Sequence, residues 1–292
     1  GKAPRFPGLW LDEPGKAEWA AGRPPRRAFA SIYVPGANQT FEAVVDLRGK
    51  RIVASKPIPG VQPLVLMNDY ALADEIVRKD PQWRAAMRRR GLTKIEDLHL
   101  EPWAPGYVVG EQPPRRLMRV LTFLRGKSEN PYARPIEGVL ALVDLNAKRM
   151  VRLEDTGNLP LPPEGGPIGT PNPGRSTAPA RPPFTLKDHA VAWGPWRFRY
   201  ALHPREGLVI HLAEIRDGKA WRKVLHRASL SEMAVPYGDP DPQWRWRSAF
   251  DVGEYGVGLL ATTLVPGGDV PSHATLRDEV LPTDDGTPKI AP

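Results

Sequence analysis

Two hydrophobic patterns divide the chain. Alternating or continuous apolar runs, "FASIYVPGANQTFEAVV" and "PIEGVLALV", lead into "VDLRGKRIV" (45–53) and "VDLNAKRMV" (143–151). Both copies follow V-D-L-x-x-K-R-x-V, with a probable turn at x-x between two strands, so each predicts a β-hairpin. Their starts, 45 and 143, differ by 98 residues, which suits a repeated small unit. The best helical pattern is "NDYALADEIVRKDPQWRAAMRRRG" (68–91), with apolar residues at three- and four-residue spacing. Asn68 or Asp69 can cap it, Gly91 closes it, and the Asp80-Pro81 step predicts a break or restart. A matching helix for the first hairpin would fall before residue 1, so the first unit is expected to be truncated.

Residues 154–184, "EDTGNLPLPPEGGPIGTPNPGRSTAPARPPF", are dense in proline, glycine and small polar residues and read as an extended linker. Beyond them the pattern turns wholly to strands, with "RDGK" (216–219) a hairpin turn by its Asp-Gly pair. The expected class is α+β. It comprises a partial first α/β domain over 1–64, a second over 65–160, a linker over 161–184 and antiparallel strands of a sandwich over 185–292.

Composition narrows the chemistry. The 292 residues are 41% hydrophobic and 25% charged, ordinary for a folded soluble protein of two or three domains. No apolar run reaches the roughly 18 residues of a membrane span, and "GKAPRFPGLW" lacks the apolar stretch of a signal peptide, so a cytoplasmic protein with no membrane partner is expected. The net charge of +8 comes from scattered arginines; the densest run, "MRRRG" (87–91), complements a helix C-terminus, so nucleic acid is not the expected partner. With no cysteine, disulfides, thiol nucleophiles and thiolate-bound metals are excluded within this chain. The histidines at 99, 189, 203, 211, 226 and 273 form no ligand spacing, and no metal site is expected here. "GKSEN" (126–130) and "PEGGPIG" (163–169) lack phosphate-loop spacing.

One stretch invites chemistry. "VPYGDPDPQWRWRSAFDVGEYGVG" (235–258) crowds aromatic rings, carboxylates and glycines together. A carboxylate such as Asp251 amid large apolar side chains loses hydration and can serve as a general base; it can equally be a turn residue on a sheet rim. Trp244 and Trp246 are expected to pack rather than line a channel, and Glu206 and Glu254 to form surface ion pairs.

Four ordered motifs, "NPYARPIEGV" (130–139), "HPREGLVIH" (203–211), "HRASLSEMAVPYGDPDP" (226–242) and "AFDVGEYGVG" (249–258), resemble the copper- and topaquinone-dependent primary amine oxidases. "TFEAVVDL" and "PGVQP" (59–63) look like the first of that family's small domains. The resemblance implies two cystatin-like α/β domains followed by the opening strands of a β-sandwich catalytic domain. It also implies oxidative deamination of a primary amine by dioxygen to aldehyde, ammonia and hydrogen peroxide. Residue by residue, it makes Asp251 the catalytic base and Tyr237 the hydrogen-bond partner of the quinone. Ala249, Tyr255 and Tyr132 fall at the substrate channel.

Departures are equally informative. Ala249 stands where relatives often carry a bulky gate, and no Cys-x-Cys occurs near 264–276. Neither the Asn-Tyr-Asp/Glu of a quinone precursor nor the His-x-His of a copper site is present. The expectation is therefore a split enzyme, with copper and topaquinone on a second polypeptide in a higher oligomer. The alternative is a non-catalytic assembly module, in which Asp251 and Tyr237 only hold sheet turns.

Overall fold

The computed structural model describes residues 3–106, 115–164, 177–178, 183–241 and 243–291. The first unit is a four-stranded antiparallel meander of β1 (Arg5–Asp12), β2 (Arg27–Val34), β3 (Gln39–Asp46) and β4 (Arg51–Pro57), with the five-residue α1 (Lys16–Ala20) between β1 and β2. Two helices follow, α2 (Met67–Lys79) and α3 (Pro81–Arg89), then a second meander of β5 (Leu98–Trp103), β6 (Leu117–Leu124), β7 (Val139–Asp144) and β8 (Arg149–Asp155).

The repeated motif builds the same hairpin twice. Asp46 pairs with Arg51 and Asp144 with Arg149, each beside a bulge one residue earlier in the strand. The aspartate carboxylate accepts turn amides in both copies, from Arg48 at 3.0 Å in the first and from Asn146 and Ala147 at 3.0 and 2.9 Å in the second. The last turn residues, Lys50 and Lys148, have φ of 49° and 51°. The V-D-L-x-x-K pattern thus encodes a self-capped turn. The copies also meet. Asn146 donates to the Tyr33 hydroxyl at 2.9 Å and to the Asn38 side-chain oxygen at 2.9 Å.

The break at Asp80-Pro81 separates α2 from α3. Asp80 caps α3 by accepting from Gln82 and Trp83, and proline stands at its first position, where no amide is needed. The helices place Ala73, Val77, Trp83 and Met87 on the even-numbered face of β5 and on β6 and β7, forming the principal core. Trp83, fully buried, donates through Nε1 to Thr122 Oγ1 at 3.1 Å. The "MRRRG" run serves this unit: Arg89 and Arg90 both pair with Asp155, at 2.5 and 2.8 Å, and hold its carboxyl down at about 2.

The linker expected over 161–184 lies largely outside the described residues. After it, β9 (Phe184–Lys187), β10 (Ala190–Trp193), β11 (Trp196–His203), β12 (Gly207–Asp217) and β13 (Ala220–Ala228) form a five-stranded antiparallel sheet in sequential order. The β12–β13 loop is Gly218-Lys219, with Asp217 opposite Ala220 and Gly218 at φ 59°. Next comes a two-stranded ribbon, β14 (Ala234–Pro236) with β15 (Ser248–Phe250), leading directly into the helical turn α4 (Asp251–Tyr255). A final pair, β16 (Glu279–Pro282) and β17 (Pro288–Ala291), closes the described chain. The architecture is α+β, mostly antiparallel sheet with few helices, as the strand patterns predict. Among the described residues no helix is long and apolar enough to cross a membrane.

Candidate active site

Tyr237, Ala249 and Asp251 are brought together by the ribbon. Val235 is opposite Ala249, and single backbone bonds extend the register at both ends: Tyr237 N–H to Arg247 O at 3.2 Å, and Asp251 N–H to Met233 O at 3.0 Å. Alternation along an antiparallel pair then puts Tyr237, Ala249 and Asp251 on one face. Asp251 stands four residues beyond the Tyr237–Arg247 pair, about 13 Å along the strand at ~3.3 Å per residue. Among the described residues the tyrosine and the carboxylate make no contact with each other.

Asp251 is half-buried, and no described residue hydrogen-bonds or ion-pairs its carboxylate. Its helical turn is anchored from two sides. Glu254 O accepts from Val65 N–H at 2.9 Å, and the Tyr255 hydroxyl accepts from Ala104 N–H at 3.0 Å. Burial pushes the Tyr255 phenol up, reinforced by the nearby negative charge of Glu254. Glu254 is no surface ion pair. Burial raises its carboxyl, the charges of Asp251 and Glu232 raise it further, and among the described residues its carboxylate accepts from the Phe250 amide at 3.2 Å. The reason is position: at the fourth residue of α4 it faces the junction with the α2 unit, where a cavity of about 340 Å³ lies between Glu254, Phe250, Arg116 and Asp69. Glu206, by contrast, pairs with Arg227 at 2.8 Å.

Strand β5 forms the adjoining wall. Its odd positions, His99, Glu101 and Trp103, face away from the core. Tyr132 packs edge-on against His99 and donates to Glu101 at 3.2 Å, whereas Trp103 packs edge-on against Tyr237 and Trp246. Tyr132 and Tyr237 thus stand at opposite ends of one strand face; no described contact joins Tyr132 to Asp251 or Tyr255. Trp246 is a packing residue, 2% exposed. Together with Trp244, Trp103 and Tyr237 it encloses the buried Arg247, whose guanidinium lies 3.5 Å from the Trp244 ring centre and is pulled down to about 10 by burial.

Glu232, Arg205 and Arg247 all lie inside the motif-bearing stretches, yet no local spacing marks their roles. Glu232 Oε1 accepts from the amides of Val252 and Gly253 at 3.0 and 3.1 Å, and Oε2 pairs with Arg205 at 3.2 Å. Arg205 in turn follows His203, a structural histidine packed on Trp10, whose Nδ1 accepts two backbone amides. His99, His189 and His211 each face a single glutamate: Glu101, Glu279 and Glu13. Among the described residues no group of three His, Asp or Glu side chains could hold a metal. The residues present do not fit a copper site.

The described elements form a mostly antiparallel α+β fold in which a carboxylate-bearing ribbon follows a five-stranded sheet, and comparison with known proteins assigns its family. The copper amine oxidase N3 domain model matches residues 68–165, and the copper amine oxidase enzyme domain model matches residues 185–292. The chain belongs to the copper amine oxidase family. It is 39% identical over 277 residues to the primary amine oxidase of Arthrobacter sp. (strain P1), and 32% identical over 305 residues to that of Klebsiella aerogenes. These alignments cover 91% and 99% of this chain but 43% and 40% of the relatives, so it spans less than half their length. In fold it is similar to a copper-containing benzylamine oxidase from Hansenula polymorpha, with a TM-score of 0.76 at 22% identity, over 100% of this chain and 51% of the other.

Proposed function

We propose that this chain forms the base-bearing half of a primary amine oxidase. In this reading Asp251 takes a proton from the carbon that carries the amine, and Tyr237 donates a hydrogen bond to the quinone. Ala249, Tyr255 and Tyr132 border the channel by which the amine arrives. Copper and topaquinone reside on a second polypeptide, which brings dioxygen chemistry to the assembly.

The observation that carries the reading is the Asp251 carboxylate, which no other described residue hydrogen-bonds or ion-pairs. It stands half-buried on a turn anchored from both sides, on the same ribbon face as Tyr237. A groove of about 890 Å³ between the five-stranded sheet and the 260–279 segment supports a covering element from the remainder of the enzyme domain. Phe184, Leu186, Phe198 and Leu202 line it, and Trp193 in it is 55% exposed. Left uncovered, so large an apolar face is a liability; a sheet from the remainder of the enzyme domain would bury it.

The test is intact-mass spectrometry of the complex purified from its native source through this chain, with copper analysis and quinone redox staining. The expected result is a second subunit bearing a modified tyrosine and stoichiometric copper. A stable complex with neither would overturn the oxidase reading and favour the assembly module.

A further inference from the structure

We propose that Glu232 is the positioning residue of this site: it occupies the backbone amides that Asp251 would otherwise turn back to, and so leaves the Asp251 carboxylate free to take a proton. The inference rests on the reading of Asp251 as the base.

Asp251 is the first residue of α4, directly after the N-cap Phe250, whose apolar side chain cannot accept the exposed amides of the turn; the nearest acceptor on the turn itself is the Asp251 carboxylate. A carboxylate holding two or three backbone N–H groups becomes a very weak base. Here those amides are already engaged. Asp251 N–H goes to Met233 O, and the Val252 and Gly253 amides both go to Glu232 Oε1. Glu232 is itself fixed. Its other oxygen pairs with Arg205 Nη2 at 3.2 Å, and Arg205 Nη1 donates to Ser231 O at 3.1 Å. Gly253 leaves room for the same arrangement, since a Cβ there would stand 2.7 Å from Glu232 Oε2 and push that oxygen aside. The charged and titratable groups around Asp251 are Glu232 and Arg205 across the turn, Glu254 and Tyr255 on α4, and Tyr70 of α2 behind Tyr255. Among the described residues none of them hydrogen-bonds or ion-pairs with the Asp251 carboxylate.

The experiment measures amide hydrogen exchange at Val252 and Gly253 in this chain, together with the Asp251 carboxyl ¹³C resonance. Asp251→Ala alone should leave both amides protected, because Glu232 holds them. Glu232→Ala should shift the Asp251 carboxyl resonance as that carboxylate takes over, and Glu232→Gln, which keeps an acceptor oxygen, should restore it. Glu232→Ala with Asp251→Ala should exchange at least tenfold faster than Glu232→Ala alone. An unmoved carboxyl resonance in Glu232→Ala, or effects of the two substitutions that simply add, would reduce Glu232 to an ordinary cap and overturn the proposal. If Glu232→Ala unfolds the turn, Glu232→Gln decides alone: a wild-type resonance with protected amides supports the proposal, and a shifted one contradicts it. Turnover by an Asp251→Asn enzyme is a separate measurement, so the base assignment can fail while this coupling survives, and the reverse.

Discussion

Gly253→Ala sets two opposing effects against each other at the same atom. Gly253 has no left-handed φ, so alanine fits the backbone and should favour the helical turn by up to about 1 kcal/mol. Against this, the added Cβ would lie 2.7 Å from Glu232 Oε2 and 3.8 Å from Arg205 Nη2. Moving Oε2 aside turns the carboxylate, so that Oε1 gives up one of its two amide bonds, a charge-assisted contact worth about 1.5–3 kcal/mol. The loss outweighs the gain, for a net local destabilisation of about 0.5–2 kcal/mol by difference of these figures. Exchange of the α4 amides should accelerate roughly tenfold, since 1.4 kcal/mol is a factor of ten. In a Glu232→Ala background the obstruction is gone, and the same substitution should slow exchange, by up to about fivefold for 1 kcal/mol. The sign reversal is the diagnostic. Slower exchange in both backgrounds would show that the carboxylate does not occupy the space assigned to it.

Other consequences can be checked separately. Arg90 and Arg89 hold the Asp155 carboxyl down at about 2, so the α3–β8 connection gains stability above the ordinary aspartate range and loses it as pH falls from about 4 towards 2; Asp155→Asn should flatten that acid limb in exchange measured at Gly157. Burial against Trp10 lowers His203 below the ordinary histidine range. Its contribution is present above the ordinary histidine value of about 6.5 and lost as pH falls below it, which histidine ¹H NMR with β1 exchange would report. Trp83→Phe leaves the buried Thr122 hydroxyl without its indole partner and should cost about 1–3 kcal/mol in denaturant stability of the second unit.

The hairpins and helices were legible because their signals are local. An aspartate two and three residues before the amides it accepts, and a proline after a capping aspartate, carry their geometry within a few positions. The site was legible only in part. The motif around Asp251 could be recognised, but the register that separates Asp251 from Tyr237 by four residues along the ribbon depends on pairing between distant segments. Glu232 lies twenty residues before Val252, and a side-chain-to-backbone bond over that distance has no periodic signature. Glu254 was expected at the surface because glutamates usually are; its burial arises from docking against the Val65 segment, a contact between residues far apart in sequence.

The most direct test of the base assignment is turnover of primary amines by the assembled complex carrying Asp251→Asn, with aldehyde release as the readout and complex integrity checked by native mass. Loss of at least about a hundredfold in rate with the assembly intact is expected, matching the usual contribution of a positioned general base. Aldehyde release at the wild-type rate would contradict it.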